Sequence, residues 1–191
     1  LDEADRLLDM GFRRELDALL SLLTARSQTL LFSATFAPEV QALAESLLRA
    51  PQIISIELPV ENNARETYGY CVNKSSKAAL LLQLLRQLGE ERALVFVNRR
   101  DTADGLVKRL QKQGWQAAAL HSDKPQAERS AVLARLQSGD LQVLVATDLA
   151  ARGLDIEALP LVINFELPEM AAVYVHRIGR TARAGRRGLA I

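Results

Sequence analysis

The 191 residues are about half apolar and a quarter charged, the balance of a globular chain long enough for one large domain or two small ones. No run of eighteen apolar residues occurs, no basic segment leads into an apolar run at the start, and Cys71 is alone, so a membrane span, a signal peptide and an internal disulfide are not expected and a cytoplasmic protein is. The net charge of +1 hides a split, because residues 1–57 carry five basic and nine acidic side chains while residues 58–191 carry nineteen and fourteen.

The chain opens on LDEADRLLDMGF, where Asp2, Glu3 and Asp5 follow a single apolar residue. RRELDALLSLLT (13–24) has leucines at helical spacing. TLLFSAT (29–35) reads as a buried strand ending in small hydroxyl residues. APEVQALAESLLRA (37–50) reads as a helix with Pro38 in its tolerant first turn, and QIISIEL (52–58) as a strand. The polar stretch PVENNARE (59–66) has no periodicity and reads as a linker. The pattern then restarts. TYGYCV (67–72) is strand-like, and KSSKAALLLQLLRQLG (74–89) is a helix stopped by Gly89. ALVFVN (93–98) is a strand, 101–114 a helix, QAAALH (116–121) a strand and 124–139 a helix closed by Gly139. QVLVATD (142–148) and PLVINFE (160–166) are strands, and EMAAVYVHRIGRTAR (169–183) a helix.

Continuous apolar strands alternating with helices predict an α/β fold with parallel strands covered on both faces. Ligands of such sheets sit beyond the carboxyl ends of the strands. Asp2, Ser33, Asn98, His121, Thr147 and Asp148 all fall at expected strand ends.

Several stretches could carry chemistry. A nucleotide-hydrolysing site needs a carboxylate near a strand tip for Mg²⁺, and a second beside it to deprotonate water. Asp2 and Glu3 stand in that order, although acids at a helix start also favour its dipole. Ser33 and Thr35 could bridge two moving parts or simply make a turn. In VLVATDLAARGLDI (143–156) a strand delivers Thr147 and Asp148 to its tip, followed by Arg152, Gly153 and Asp155. Gly153 would permit close backbone approach, and Asp155 could accept from a ribose hydroxyl. In HRIGRTAR (176–183) a continuous helix would put Arg177, Arg180 and Arg183 towards one side, and guanidinium groups suit the charge of a transferring phosphoryl group. Gly179 in mid-helix would imply close packing. Gln126 and Arg129 share a helix's first turn, a place suited to phosphate. One Cys and two His leave no metal-ligand cluster of the zinc type.

Taken in order, DEAD (2–5), SAT (33–35), LVFVN (94–98), QAER (126–129), ATDLAARGLD (146–155) and HRIGRTAR (176–183) resemble the DEAD-box ATP-dependent RNA helicases of superfamily 2, in bacterial style. The resemblance covers essentially the whole chain. It implies RecA-like parallel sheets of the P-loop NTPase fold: residues 1–58 as the end of a first, ATP-binding domain, 59–66 as linker, and 67–191 as most of a second. It implies ATP, Mg²⁺ and RNA as ligands. Asp2 would help hold Mg²⁺ through water, and Glu3 would be the catalytic base. Arg180 and Arg183 would reach the γ-phosphate. Ser33 and Thr35, with Asp5, would couple hydrolysis to strand separation, and His176 and Arg177 would lie at the interdomain contact. Asp155 and Gly153 would meet the nucleotide. Gln126, Arg129, Thr147, Asp148 and Gly153 would line an RNA path read through backbone and 2′-hydroxyls, largely without sequence preference.

Two residues depart from the family's pattern, since Ser122 and Ala182 stand where Gly is commoner. No G-x-x-x-x-G-K-[ST] occurs in the 191 residues, so the resemblance places the phosphate-cradling loop before Leu1 and implies a fragment. Two other readings follow from the same residues: a non-enzymatic RNA-binding module, for which the arginine-rich end would supply affinity, and a DNA helicase.

Overall fold

The computed structural model describes residues 1–56, 65–89, 92–151, 159–182 and 187–191. The chain forms two compact units, Leu1–Leu58 and Pro59–Ile191. Among the described residues, no helix is long and apolar enough to cross a membrane.

The first unit holds α1 (Ala4–Asp9), α2 (Arg13–Leu22) and α3 (Pro38–Leu47). Its core is Ala4, Val40 and Leu43, with Leu8, Leu31 and Leu47 against them. The buried strand expected at 29–35 does not form, and Leu30 and Phe32 are exposed, but a few backbone bonds pair residues 30–32 with the first residues. The amino group of Leu1 donates to Leu30 O at 2.8 Å, Phe32 N donates to Leu1 O and Ala4 N to Phe32 O. This seats the first residues directly beside residues 30–32. The expected strand at 52–58 is not seen in residues 51–56, which carry no regular element. Ile53, Ile54 and Ile56 are 74–80% exposed. A β-prone segment becomes a strand only when a neighbour satisfies its backbone, and none pairs with it among the described residues.

The second unit is a six-stranded sheet. Its strands are β1 (Arg65–Thr67), β2 (Ala93–Phe96), β3 (Ala117–Leu120), β4 (Val143–Ala146), β5 (Leu161–Asn164) and β6 (Gly188–Ala190). They run in the order β1-β6-β5-β2-β4-β3, and every pairing is parallel. The helices are α4 (Lys77–Leu88), α5 (Arg100–Lys112), α6 (Gln126–Ser138), α7 (Asp148–Ala151) and α8 (Ala171–Ile178).

The period-two geometry of strands sorts the core. Ala93, Val95 and Val97 face one layer with Leu81, Leu85, Leu106 and Leu110 of α4 and α5. Leu94 and Phe96 face the other with Leu120, Leu136 and Leu144. Both faces are buried, so β2 and β4 read as unbroken apolar runs. α6 ends at Gly139, whose φ of 88° is the left-handed stop a side chain would resist.

Three expectations differ. The strand expected at 67–72 ends at Thr67, with one further bond from Tyr68 N to Ala190 O. The strand expected at 142–148 ends at Ala146, and Asp148 instead opens the short helix α7. The helix expected to reach residue 183 stops at Ile178, and Gly179 is its C-cap at φ −68°. Gly179 is therefore not a mid-helix residue, and Arg180 lies outside the helix. Arg177 and Arg180 do not share a helical face.

Candidate functional site

In the first unit the site is built where α1 starts. Asp5, 8% exposed, accepts from Thr35 Oγ1 at 3.0 Å and Thr35 N at 3.1 Å through one oxygen, and from Arg6 N through the other. Asp5 N donates to Ser33 Oγ at 3.3 Å, and the Ser33 hydroxyl donates to Thr35 O at 2.6 Å. The acidic stretch and the Ser-Ala-Thr turn are therefore one hydrogen-bonded body. Burial pushes the Asp5 pKa up, but bonds from the Thr35 hydroxyl, the Arg6 and Thr35 backbone N–H groups and Ser33 together outweigh it, so the carboxyl titrates below its ordinary value of 3.8.

A depressed pKa means the stabilisation is complete above the ordinary value and is lost as pH falls through the folded one. Asp5→Asn is expected to weaken the unit at neutral pH and flatten its acid dependence below about pH 4. Far-UV circular dichroism against pH would check it; a parental acid profile would count against the network.

Asp2 is exposed and Glu3 half-buried. Glu3 N donates to Asp2 Oδ1 at 2.9 Å. Glu3 has φ 49° and ψ 47°, a left-handed conformation that costs a non-glycine residue roughly 1–2 kcal/mol. Strain of this kind persists where surrounding contacts over-determine it, and it clusters at functional sites.

In the second unit Asn98, Asp148 and Arg177 meet at the carboxyl edge of the sheet. β2 and β5 are neighbours whose following connections leave in opposite directions, the switch point at which such sheets usually leave a ligand crevice. Here Arg177 fills that place. It is 1% exposed and spends all five guanidinium donors. Nε and NH2 reach the two oxygens of Asp148 at 2.7 Å each, NH1 reaches Asn164 Oδ1 and Glu166 O, and NH2 also reaches Asn98 Oδ1. The group also lies 5.0 Å from the centroid of Phe96. Glu166 Oε2 accepts from Asn98 N, and Asn98 Nδ2 donates to Leu167 O.

Two of the expected site residues therefore meet each other. The side chain of Arg177, expected at a contact between domains, is sealed inside its own unit. Asp148, expected on the RNA path, has both oxygens committed to Arg177. Together they lock α8 to the tips of β2, β4 and β5.

Thr147 is buried. Its N–H donates to Leu120 O, and its carbonyl accepts from Ala150 and Ala151 at the start of α7. Gln126 is exposed on the first turn of α6, and Arg129 is half-buried there. Arg129 donates to Gln126 Oε1 and to Ala150 O, while its buried Nε has no partner among the described residues. His121 Nε2 lies 3.2 Å from Asp104 Oδ1 on α5, a local pairing. His176 is half-buried on α8, and Arg180 is half-buried just past it. Arg180 O accepts from Leu159 N. Gly153, Asp155 and Arg183 lie outside the described residues.

The two departures differ physically. Ser122 is exposed and not among the residues at positive φ, whereas Ala182 has φ 54°. Ala182→Gly is expected to raise stability by about 1 kcal/mol. Urea unfolding followed by Trp115 fluorescence would show it, and a lowered midpoint would refute it.

Sequence reasoning left four contributors unassigned: Asn98, Asn164 and Glu166 around Arg177, and Arg6 beside Glu3. The polar residues that end three apolar strands were the available signal, since convergent acceptors need a multi-donor partner.

The family model described as DEAD/DEAH box helicase matches residues 1–43, and the one described as helicase conserved C-terminal domain matches residues 76–185. The chain belongs to the DEAD-box helicase family. This DEAD-box chain is 44% identical over 194 residues to the ATP-dependent RNA helicase RhlB of Pseudomonas syringae, covering 100% of the chain and 49% of RhlB. It is 41% identical over 194 residues to the DEAD-box ATP-dependent RNA helicase CshA of Geobacillus kaustophilus, again covering 100% of the chain, and 41% of CshA. Among solved structures it resembles S. cerevisiae Dbp5 bound to RNA and ADP-BeF3, with a TM-score of 0.86 and 33% identity over 100% of this chain and 51% of that one. The fold is thus the RecA-like α/β fold of these helicases. The DEAD-box chain spans half or less of the curated relatives it matches.

Proposed function

We propose that this chain works as part of an ATP-dependent RNA helicase of the cytoplasm, in which RNA-stimulated ATP hydrolysis drives local duplex opening. The observation that carries the reading is the Asp5–Ser33–Thr35 network. It fastens the stretch holding Asp2 and Glu3 to the Ser-Ala-Thr turn, so displacement of one displaces the other. In this reading Leu1–Leu58 belongs to a first RecA-like domain and residues 67–191 to a second, joined by 59–66, whose last two residues already pair in β1 of the second unit.

The donor set fits Mg²⁺ in one way. Mg²⁺ is commonly held by one or two carboxylates with waters and substrate phosphates, and Asp2 offers one exposed carboxylate. Among the described residues no group of three or more His, Cys, Asp or Glu could cage a metal. When bound, Mg²⁺ would neutralise charge on the nucleotide phosphates. Glu3 would take the proton of the attacking water. Arg180, with Arg183, would stabilise charge on the transferring phosphoryl group. Gly153 and Asp155 would receive the nucleotide, and Gln126, Arg129, Thr147 and Gly153 the RNA backbone. The Nε of Arg129, without a partner among the described residues, supports a phosphate there.

Because no phosphate-cradling G-x-x-x-x-G-K-[ST] lies within these residues, a second reading holds for the chain by itself: RNA binding without hydrolysis. Filter binding at two salt concentrations, with RNA and DNA of one sequence in competition, separates the readings. Salt-dependent RNA retention and preferential stimulation of ATPase by RNA in the full-length protein are expected. Equal stimulation by DNA would favour a DNA helicase, and no RNA retention would refute both RNA readings.

A further inference from the structure

Arg6 sits in the first turn of α1 with its side chain only 10% exposed, and its NH1 donates to Glu3 Oε2 at 2.8 Å. An exposed i,i+3 pair fixes little, because both side chains lose entropy to hold it. This pair is asymmetric: the guanidinium is held by packing, while the Glu3 side chain is 45% exposed. Arg6 is therefore a fixed anchor and Glu3 the group being aimed.

The backbone of Glu3 is pinned in its left-handed conformation from both sides. Its N–H is held by Asp2 Oδ1, and its carbonyl accepts from Arg6 N and Leu7 N at 3.0 and 3.1 Å. Only the side-chain torsions remain to be set, and the contact to Oε2 sets them, leaving the lone pairs of Oε1 for a proton. We propose that Arg6 is a positioning residue: its guanidinium fixes the direction in which the Glu3 carboxylate meets the attacking water. The inference rests on Glu3 as the base.

The test uses the full-length protein and RNA-stimulated phosphate release. Arg6→Met is expected to lower kcat by about tenfold or more with the KM for ATP near parental, and Arg6→Lys to recover part of the loss, since an ammonium can still donate to Oε2. Glu3→Gln combined with Arg6→Met should be no slower than Glu3→Gln alone, because Arg6 acts only through Glu3. Parental kcat in Arg6→Met, additive losses in the double variant, or a folded Arg6→Lys as slow as Arg6→Met would each overturn the proposal. If Arg6→Met loses its thermal unfolding transition, Arg6→Lys with and without Glu3→Gln decides by the same criteria. Parental turnover in Glu3→Gln would instead overturn the assignment of Glu3 as base, a separable failure.

Discussion

Replacing Arg177 by methionine is expected to destabilise the second unit by about 3–5 kcal/mol, the cost of breaking a buried ion pair from one side. Methionine keeps much of the apolar stem but leaves Asp148 with both oxygens unpaired, together with acceptors on Asn98, Asn164 and Glu166. Lysine is expected to rescue poorly, because one ammonium cannot replace a planar fork with five donors. Adding Asp148→Asn to Arg177→Met should recover part of the loss by removing the stranded charge. Trp115 is the chain's single tryptophan and packs against the core of the second unit, so its fluorescence in urea isolates that unit. An unchanged midpoint would show that Arg177 is not the post this geometry makes it.

Glu3→Gln in the full-length protein is expected to lower ATP turnover about 10²–10⁴-fold, the range supplied by a positioned general base. The amide keeps the size of the carboxylate and an oxygen that can accept from Arg6, so the left-handed turn and the helix start should survive. What it loses is the capacity to take a proton. Nucleotide and RNA affinities should stay near parental while kcat falls. A parallel loss of binding would mean that Glu3 holds the site together instead of acting in it.

The sheet was legible because β2, β4 and β5 are buried on both faces and carry no polar interruption. Gly139 marked the end of α6 for the same reason it ends it, the left-handed φ. Strand character at 52–56 was misleading, since apolar β-branched residues describe a surface that fits a neighbour and not the neighbour itself. The arginines of HRIGRTAR were legible as a cluster but not in their directions. Spacing of three implies one face only while the helix lasts, and the helix ends between Arg177 and Arg180. Burial then separates them, since Arg177 turns inward to three strand tips. Nothing in periodicity announces a buried arginine; the acceptors that demand it lie up to 79 residues away in sequence. The same holds for Asp5, whose partners lie 28 and 30 residues away, and whose role became plain only when the turn at 33–35 folded back on it. Ala182 was visible as a departure from the family's pattern, and its positive φ supplies the reason glycine suits that position.

In the proposed function, Glu3 and Arg180 serve one RNA-stimulated ATPase. Phosphate release by the full-length protein, with and without RNA, for the parent, Glu3→Gln and Arg180→Ala tests it most directly. RNA is expected to raise the parental rate, and both variants, still folded, to lose the stimulated rate. Parental turnover in both variants would contradict it.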